Sequence, residues 1–182
     1  MKTRKILYVG RIAPIKGLDV LLGAFAQGMS PEWKLVIVGP DQEGHKAELT
    51  KLAESLSISD SVVFAGPKYG DELGQVYDES DIFVLPSYSE NFGSVVIEAL
   101  SHSLPVVTTK GTPWSELVER KCGWWIDIGV EPLAAALRET MSLPDEERMA
   151  MGARGRRLVE EKYTWDAVVK KMIGVYEEVL RG

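Results

Sequence analysis

At 182 residues with 45% hydrophobic side chains, the chain has the size of one domain and enough apolar material for a sizeable core. A net charge of −6 excludes a general nucleic-acid binder, because the only basic cluster, Arg154, Arg156 and Arg157, is short and suits a solvated helix face. One cysteine, Cys122, excludes an internal disulfide framework, and His45 and His102 offer no zinc spacing. No apolar run approaches a membrane span, and MKTRKILYVG leads into a strand instead of a signal peptide, so the expectation is a soluble cytoplasmic chain.

The apolar run Lys5 to Val9 ends at Gly10, and after the Arg11 to Lys16 loop the periodic segment GLDVLLGAFAQ predicts a helix. The unit then repeats. Lys34 to Val38 stops at Gly39-Pro40-Asp41 before a helix over roughly Lys46 to Leu56, and Val62 to Ala65 stops at Gly66-Pro67 before a helix near Asp71 to Tyr77. Ile82 to Leu85 is a buried strand; it empties through Pro86, Ser87, Ser89, Glu90 and Gly93 into a helix carrying Glu98. Val106 to Thr109 is the next strand. Thr112-Pro113 reads as an N-cap followed by a first-turn proline, opening a short helix through Val118, and Trp124 to Ile126 is a sixth strand candidate. Such alternation implies right-handed crossovers and a parallel sheet covered on both faces, an α/β doubly wound, Rossmann-like domain.

The tail breaks the pattern: Pro132 to Leu143, Asp145 to Tyr163 and Thr164 to Leu180 read as successive helices without strands. In the last, Trp165, Val168, Val169, Met172, Ile173, Tyr176, Val179 and Leu180 form an apolar stripe. Two coverings fit it equally: this domain's own surface, or a partner domain outside this sequence.

Ligands of open parallel sheets bind beyond the carboxyl ends of the strands. There, a strand feeding a helix through a glycine-containing loop presents unpaired amides and the positive end of a helix dipole, an anion site. Glu90 and Glu98 stand beside it and can accept hydrogen bonds from hydroxyls, so phosphate plus hydroxyls points to a sugar nucleotide. Taken singly, each is more often a solvated surface carboxylate. Arg11 and Lys16 could neutralise a diphosphate, the guanidinium bidentately and the ammonium as a point charge. Either alone would read as an ordinary solvated charge, but their coincidence with Gly10 and Gly17 at a helix start favours the phosphate role. G-x-G-x-x-G and G-x-x-x-x-G-K-[ST] are both absent, disfavouring a dehydrogenase or a P-loop ATPase. No D-x-D pair occurs, which removes the commonest short signal for a divalent ion on a nucleotide diphosphate.

VGRIAPIKG, IVGPD, FAG, DIFVLPSYSENFGSVVIEAL followed by PVV, and EKYTWD resemble in order and spacing the C-terminal, donor-binding domain of retaining GT-B glycosyltransferases of family 4. The match runs from about Ile6 to Leu180. Its most specific pieces are Glu90 to Glu98 with seven residues between, opened by S-x-x-E-x-F-G, and the G-R-x-x-x-x-K-G loop. The resemblance implies transfer of a hexose from a UDP- or GDP-sugar to an acceptor hydroxyl, in cell-surface glycan or lipopolysaccharide synthesis, with neither cofactor nor metal. Residues 1–182 would be the donor-binding domain, and an acceptor-binding domain would precede them. This chain alone would then be inactive, and peripheral membrane association of the parent enzyme fits the same resemblance. Arg11, Lys16 and Glu90 would be the catalytic set, the first two on the diphosphate and Glu90 on the sugar hydroxyls. Gly10, Phe92, Gly93, Ser94 and Val95 would offer backbone to sugar and phosphate. Glu98 would take the ribose, while Gly39, Pro40 and Asp41 with Gly66, Pro67 and Lys68 would border the nucleoside. The sequence departs from the family pattern at His102 and Ser103, where relatives carry a small residue and Gly; His102 suits a helix end near the negative dipole pole. Two other readings stand beside this one: a non-catalytic nucleotide-binding Rossmann-like module, and a flavodoxin- or dehydrogenase-type domain with affinity for FMN or NAD.

Overall fold

The structure, a computed structural model, describes residues 3–28 and 30–181. Its strands are β1 (Arg4–Val9), β2 (Trp33–Val38), β3 (Val62–Gly66), β4 (Ile82–Leu85), β5 (Val106–Thr109) and β6 (Gly123–Ile126). Its helices are α1 (Leu18–Gly28), α2 (His45–Ser55), α3 (Gly70–Asp78), α4 (Ser94–Ser101), α5 (Glu116–Glu119), α6 (Val130–Ser142), α7 (Asp145–Lys162) and α8 (Trp165–Arg181).

The strands form one parallel sheet in the order β3-β2-β1-β4-β5-β6. Burial grades outward from the middle, as the hydrophobic runs require: β4 and β5 are buried at every position, whereas the edge strand β6 is only half-buried. A strand flanked by two others and covered on both faces has no polar side to show, hence the unbroken Ile-Phe-Val-Leu and Val-Val-Thr-Thr. Even the two threonines are satisfied inside: Thr108 Oγ1 donates to Leu85 O at 2.8 Å, and Thr109 Oγ1 donates to Ser87 O. Helix α1 packs against α2 and α6, and α4 against α7.

The predicted elements recur with shifts of one or two residues, except around Thr112. The helix expected from Thr112-Pro113 begins only at Glu116, after Ser115. Thr112 is buried and its hydroxyl donates back to Thr109 O at 2.9 Å, so it closes the turn after β5 and is not free to cap a helix. His102 terminates α4 as expected, its amide donating to Glu98 O and Leu100 O. Ser103 follows at φ +59°, a left-handed position where glycine is the least strained residue. Of the arginine cluster, Arg156 and Arg157 are solvated, but Arg154 Nε donates to Lys121 O at 2.7 Å and ties α7 to the turn before β6.

Helix α8 carries the predicted stripe and leaves most of it exposed, with Trp165 84% and Leu180 86% accessible. Of the two coverings that fitted the sequence, this domain's own surface supplies only part: α8 contacts α7 and Val168 is half-buried, while the rest of the stripe is exposed.

Candidate functional site

Chain order and strand order reverse between β1 and β4, since β2 and β3 lie to one side of β1 while β5 and β6 lie beyond β4. The loops leaving these two neighbouring strands therefore diverge and open a crevice at the carboxyl edge. Hydrogen bonds and close backbone contacts hold the loops in place. Tyr88 N donates to Ile15 O at 3.0 Å, joining the β4 loop to the β1 loop. Gly17, at φ +65°, lies so near that a Cβ on it would fall 2.4 Å from Pro86 O. Only glycine fits both the angle and the gap. On the other side, Glu90 N donates to Gly111 O at 2.9 Å and Trp114 Nε1 to Phe92 O at 2.6 Å, which anchors the β4 loop to the segment after β5.

Between the loops lies a cavity of about 510 Å³, within the range of small-ligand sites. Its lining includes Gly10, Arg11, Lys16, Glu90, Phe92, Gly93, Ser94 and Val95, so the residues predicted for phosphate and sugar converge. Gly93 precedes α4 at φ +75°, and no side chain caps this end. Ser94 and Val95, which line the cavity, thus open α4 without a side-chain cap, with the helix dipole behind them. Lys16 donates to Glu90, and the pair is largely sequestered, at 15% and 14% side-chain exposure. Ser87 Oγ donates to the same Glu90 oxygen at 2.8 Å. Arg11 is exposed in the cavity lining and donates to Gln42 Oε1 at 2.9 Å. Beneath it, Tyr8 OH donates to Arg11 O at 2.8 Å. Burial first, and the nearby Glu90 charge second, raise the Tyr8 phenol well above its ordinary range, so it stays a neutral donor supporting the β1 loop.

The remaining predicted residues lie outside this cavity. Glu98 is one turn further along α4, where its Oε2 accepts from Tyr77 OH at 3.1 Å. Because Ser94 and Val95 precede it by four and three residues, Glu98 continues the face that lines the cavity. Gly39 to Asp41 are joined to the β1 loop: Ile12 N donates to Pro40 O at 2.8 Å, and a short bridge pairs Ile12 with Asp41. Gly39 N in turn donates to Gly66 O at 3.0 Å, extending the ridge to the end of β3. Beyond it Pro67 is exposed and Lys68 pairs with Glu72 at 3.2 Å. The predicted residues thus form a cavity at the switch point and a flanking ridge over β2 and β3.

Sequence reasoning missed Ile15 and Asn91 in the cavity lining, the Ser87 clamp on Glu90 and the Tyr77 contact to Glu98. The first three lie within the two loops already singled out, and Ser87 stands three residues before Glu90. Tyr77 carried no local signal, since 21 residues separate it from Glu98. Among the described residues no group of three or more His, Cys, Asp or Glu side chains could hold a metal ion.

The family model for glycosyl transferases group 1 matches residues 1–158. The chain belongs to this family. The D-inositol 3-phosphate glycosyltransferase of Salinispora tropica is 34% identical to this group 1 chain over 184 residues, 96% of the chain but 38% of that protein. The chain therefore spans less than half the length of that relative. Among solved structures, the C-terminal domain of the glycosyl transferase group 1 family protein LpcC from Francisella tularensis superposes with a TM-score of 0.81 at 25% identity, covering 90% of this chain and 88% of that one. HepE of Anabaena, crystallised with UDP-glucose, shares the fold at a TM-score of 0.82 and 22% identity over 96% of this chain and 48% of its own. The parallel sheet and its helices match the domains of GT-B glycosyltransferases, the fold that the sequence resemblance had implied.

Proposed function

We propose that this chain is the donor-binding domain of a retaining, metal-independent family 4 hexosyltransferase that takes its sugar from UDP or GDP. One observation carries the reading: the switch-point cavity gathers Arg11, Lys16, Glu90 and the uncapped start of α4 around one volume. A diphosphate would lie against the α4 amides, with Lys16 and Arg11 offsetting its charge, while Glu90 accepts from sugar hydroxyls. Glu98 would take the ribose, and the ridge from Gly39 to Lys68 would border the base. The HepE complex with UDP-glucose supports a nucleotide sugar as the ligand class.

In the reaction the bond from the anomeric carbon to the donor phosphate oxygen breaks as the acceptor oxygen bonds on the same face, and the acceptor hydroxyl's proton passes to the departing phosphate oxygen. Charge grows on the departing diphosphate, and Arg11, Lys16 and the helix-terminal amides stabilise it. Neither Glu90 nor Glu98 acts as a nucleophile, since glycosidase chemistry needs two carboxyl groups flanking one bond and these serve different ends of the donor.

The acceptor-binding half belongs to a second domain that precedes this one in the parent enzyme. Two surfaces support that arrangement: exposed Ile15 and Phe92 line the cavity, and α8 leaves most of its apolar stripe uncovered. By itself the chain binds donor without turning it over.

Calorimetry with UDP, GDP and their glucose conjugates tests the reading. Binding of at least one nucleotide is expected, weakened about tenfold or more by Arg11→Ala and by Lys16→Ala. Unchanged affinity in both variants would remove the diphosphate assignment. A sensitive donor-hydrolysis assay on the chain alone is expected to show no turnover.

A further inference from the structure

Glu98 is a half-buried carboxylate with an unusual set of neighbours. No Lys, Arg or His nitrogen lies within ion-pairing distance among the described residues, and its single hydrogen bond there is the one from Tyr77. A carboxylate withdrawn from water normally gathers several donors or a cation. Here Oε2 is engaged at 3.1 Å and Oε1 has no hydrogen bond among the described residues; Glu98 follows the cavity-lining Ser94 and Val95 along one helix face.

The donor itself is held rigidly. Tyr77 is 1% exposed, and its ring packs against two others. His102 stacks on one face at 5.0 Å between centroids and 13° between planes, and Phe83 tilts against it at 6.0 Å and 40°. His102 is in turn fixed through Nδ1 to Asp78 Oδ1 at 2.6 Å. These contacts come from the end of α3, from β4 and from the end of α4, so the phenol cannot swing without disturbing three elements. Burial first, then the Glu98 charge and the hydrogen bond to it, raise the Tyr77 phenol far above its ordinary range. It therefore remains a donor at every physiological pH.

We infer that Tyr77 is the positioning residue of Glu98: by occupying one carboxylate oxygen with a fixed donor, it aims the other at a ligand hydroxyl. The inference rests on the nucleotide-sugar reading and adds to it the residue that sets the carboxylate's direction. A carboxylate free to rotate loses part of its binding energy when a ligand freezes it; one already oriented does not. Packing alone would need only the ring of Tyr77. The hydroxyl, aimed at an otherwise unpartnered acid, is the part that a purely structural role leaves unexplained.

Tyr77→Phe keeps the ring and both aromatic contacts while deleting the donor. Calorimetry on the chain would compare UDP and GDP with their 2′,3′-dideoxy counterparts, in wild type, Tyr77→Phe, Glu98→Gln and the double variant. Tyr77→Phe is expected to weaken the ribonucleotide about three- to tenfold and to leave the dideoxy ligand unchanged, and it should add nothing in a Glu98→Gln background. Equal affinity of wild type and Tyr77→Phe for the ribonucleotide, or an equal loss with the dideoxy ligand, overturns the inference while Arg11→Ala still reports on the wider reading. If wild type binds neither nucleotide, both readings fall together. Should Tyr77→Phe fold poorly, Glu98→Gln alone still decides the ribose contact: an unchanged ratio of ribonucleotide to dideoxy affinity leaves Tyr77 nothing to position.

Discussion

Lys16 donates to Glu90 although 74 residues separate them, and their side chains are 15% and 14% exposed. Without a ligand, each neutralises the other. On the nucleotide-sugar reading, a diphosphate in the cavity would add negative charge beside Lys16, and sugar hydroxyls would offer Glu90 donors in place of the ammonium. The pair would then hold the binding charges in place before the donor enters.

Removing one member strands the other in a poorly hydrated site, whereas removing both is milder. Lys16→Met and Glu90→Gln are each expected to destabilise by about 1–3 kcal/mol, with the double variant less than additive by about 1 kcal/mol or more. Urea unfolding of the four proteins measures the coupling, and strict additivity would mean that the pair contributes nothing.

The two glutamates should separate in binding. Glu98→Ala is expected to weaken UDP or GDP itself, whereas Glu90→Ala should mainly reduce the preference for the nucleotide sugar over the bare nucleotide, each by about tenfold. Competition between UDP and UDP-glucose reads both effects. The opposite ranking would exchange the assigned roles.

Gly17 joins the loops that carry that ion pair. Because a Cβ there would sit 2.4 Å from Pro86 O at φ +65°, Gly17→Ala is expected to cost about 2 kcal/mol or more and to part the β1 and β4 loops. Thermal unfolding together with nucleotide affinity checks this, and near-wild-type values for both would show that the contact yields freely.

Glu116 provides the pH-dependent contact. It is held below the usual carboxylate range: burial pushes the other way, but the Lys162 ammonium, the Tyr163 hydroxyl and Arg120 outweigh it. A carboxylate with a depressed folded value stabilises fully above its unfolded value, about 4.3, and loses that contribution as pH falls through the folded one. Glu116→Gln should therefore lower the Tm by about 2–4 °C at pH 7, and the two melting curves should converge in acid. A gap that persists at pH 2.5 would place the effect in packing.

Helix α8 should exchange its amides faster than the sheet. Its stripe is mostly uncovered, so Trp165 to Leu180 opens at low free energy while β1, β4 and β5 require global unfolding. Hydrogen exchange resolves the two. Cys122 offers an independent clock of global opening, because it is fully buried and burial pushes its thiol up to about 11. Its modification by a thiol reagent at pH 8 is expected only as the domain unfolds.

The alternation of apolar runs with glycine-ended loops was legible in the one-dimensional pattern, because a strand buried on both faces has to be apolar throughout. Arg11, Lys16, Glu90 and the start of α4 were legible for the same reason: each follows directly from a strand end, where chain direction alone decides which edge of the sheet it occupies. Thr112 was misjudged because its hydroxyl could cap a helix or close a turn, and local sequence does not separate the two.

By itself, then, the sequence determined the parallel sheet, the edge at which the candidate site lies and the residue types gathered there. Only the tertiary structure decided that Lys16 meets Glu90, that Glu98 stands one turn outside the cavity with Tyr77 as its partner, and that α8 is left mostly bare. Those contacts join segments far apart in the chain, and their geometry depends on which loops the order of strands sets side by side, a choice that no local pattern of residues encodes.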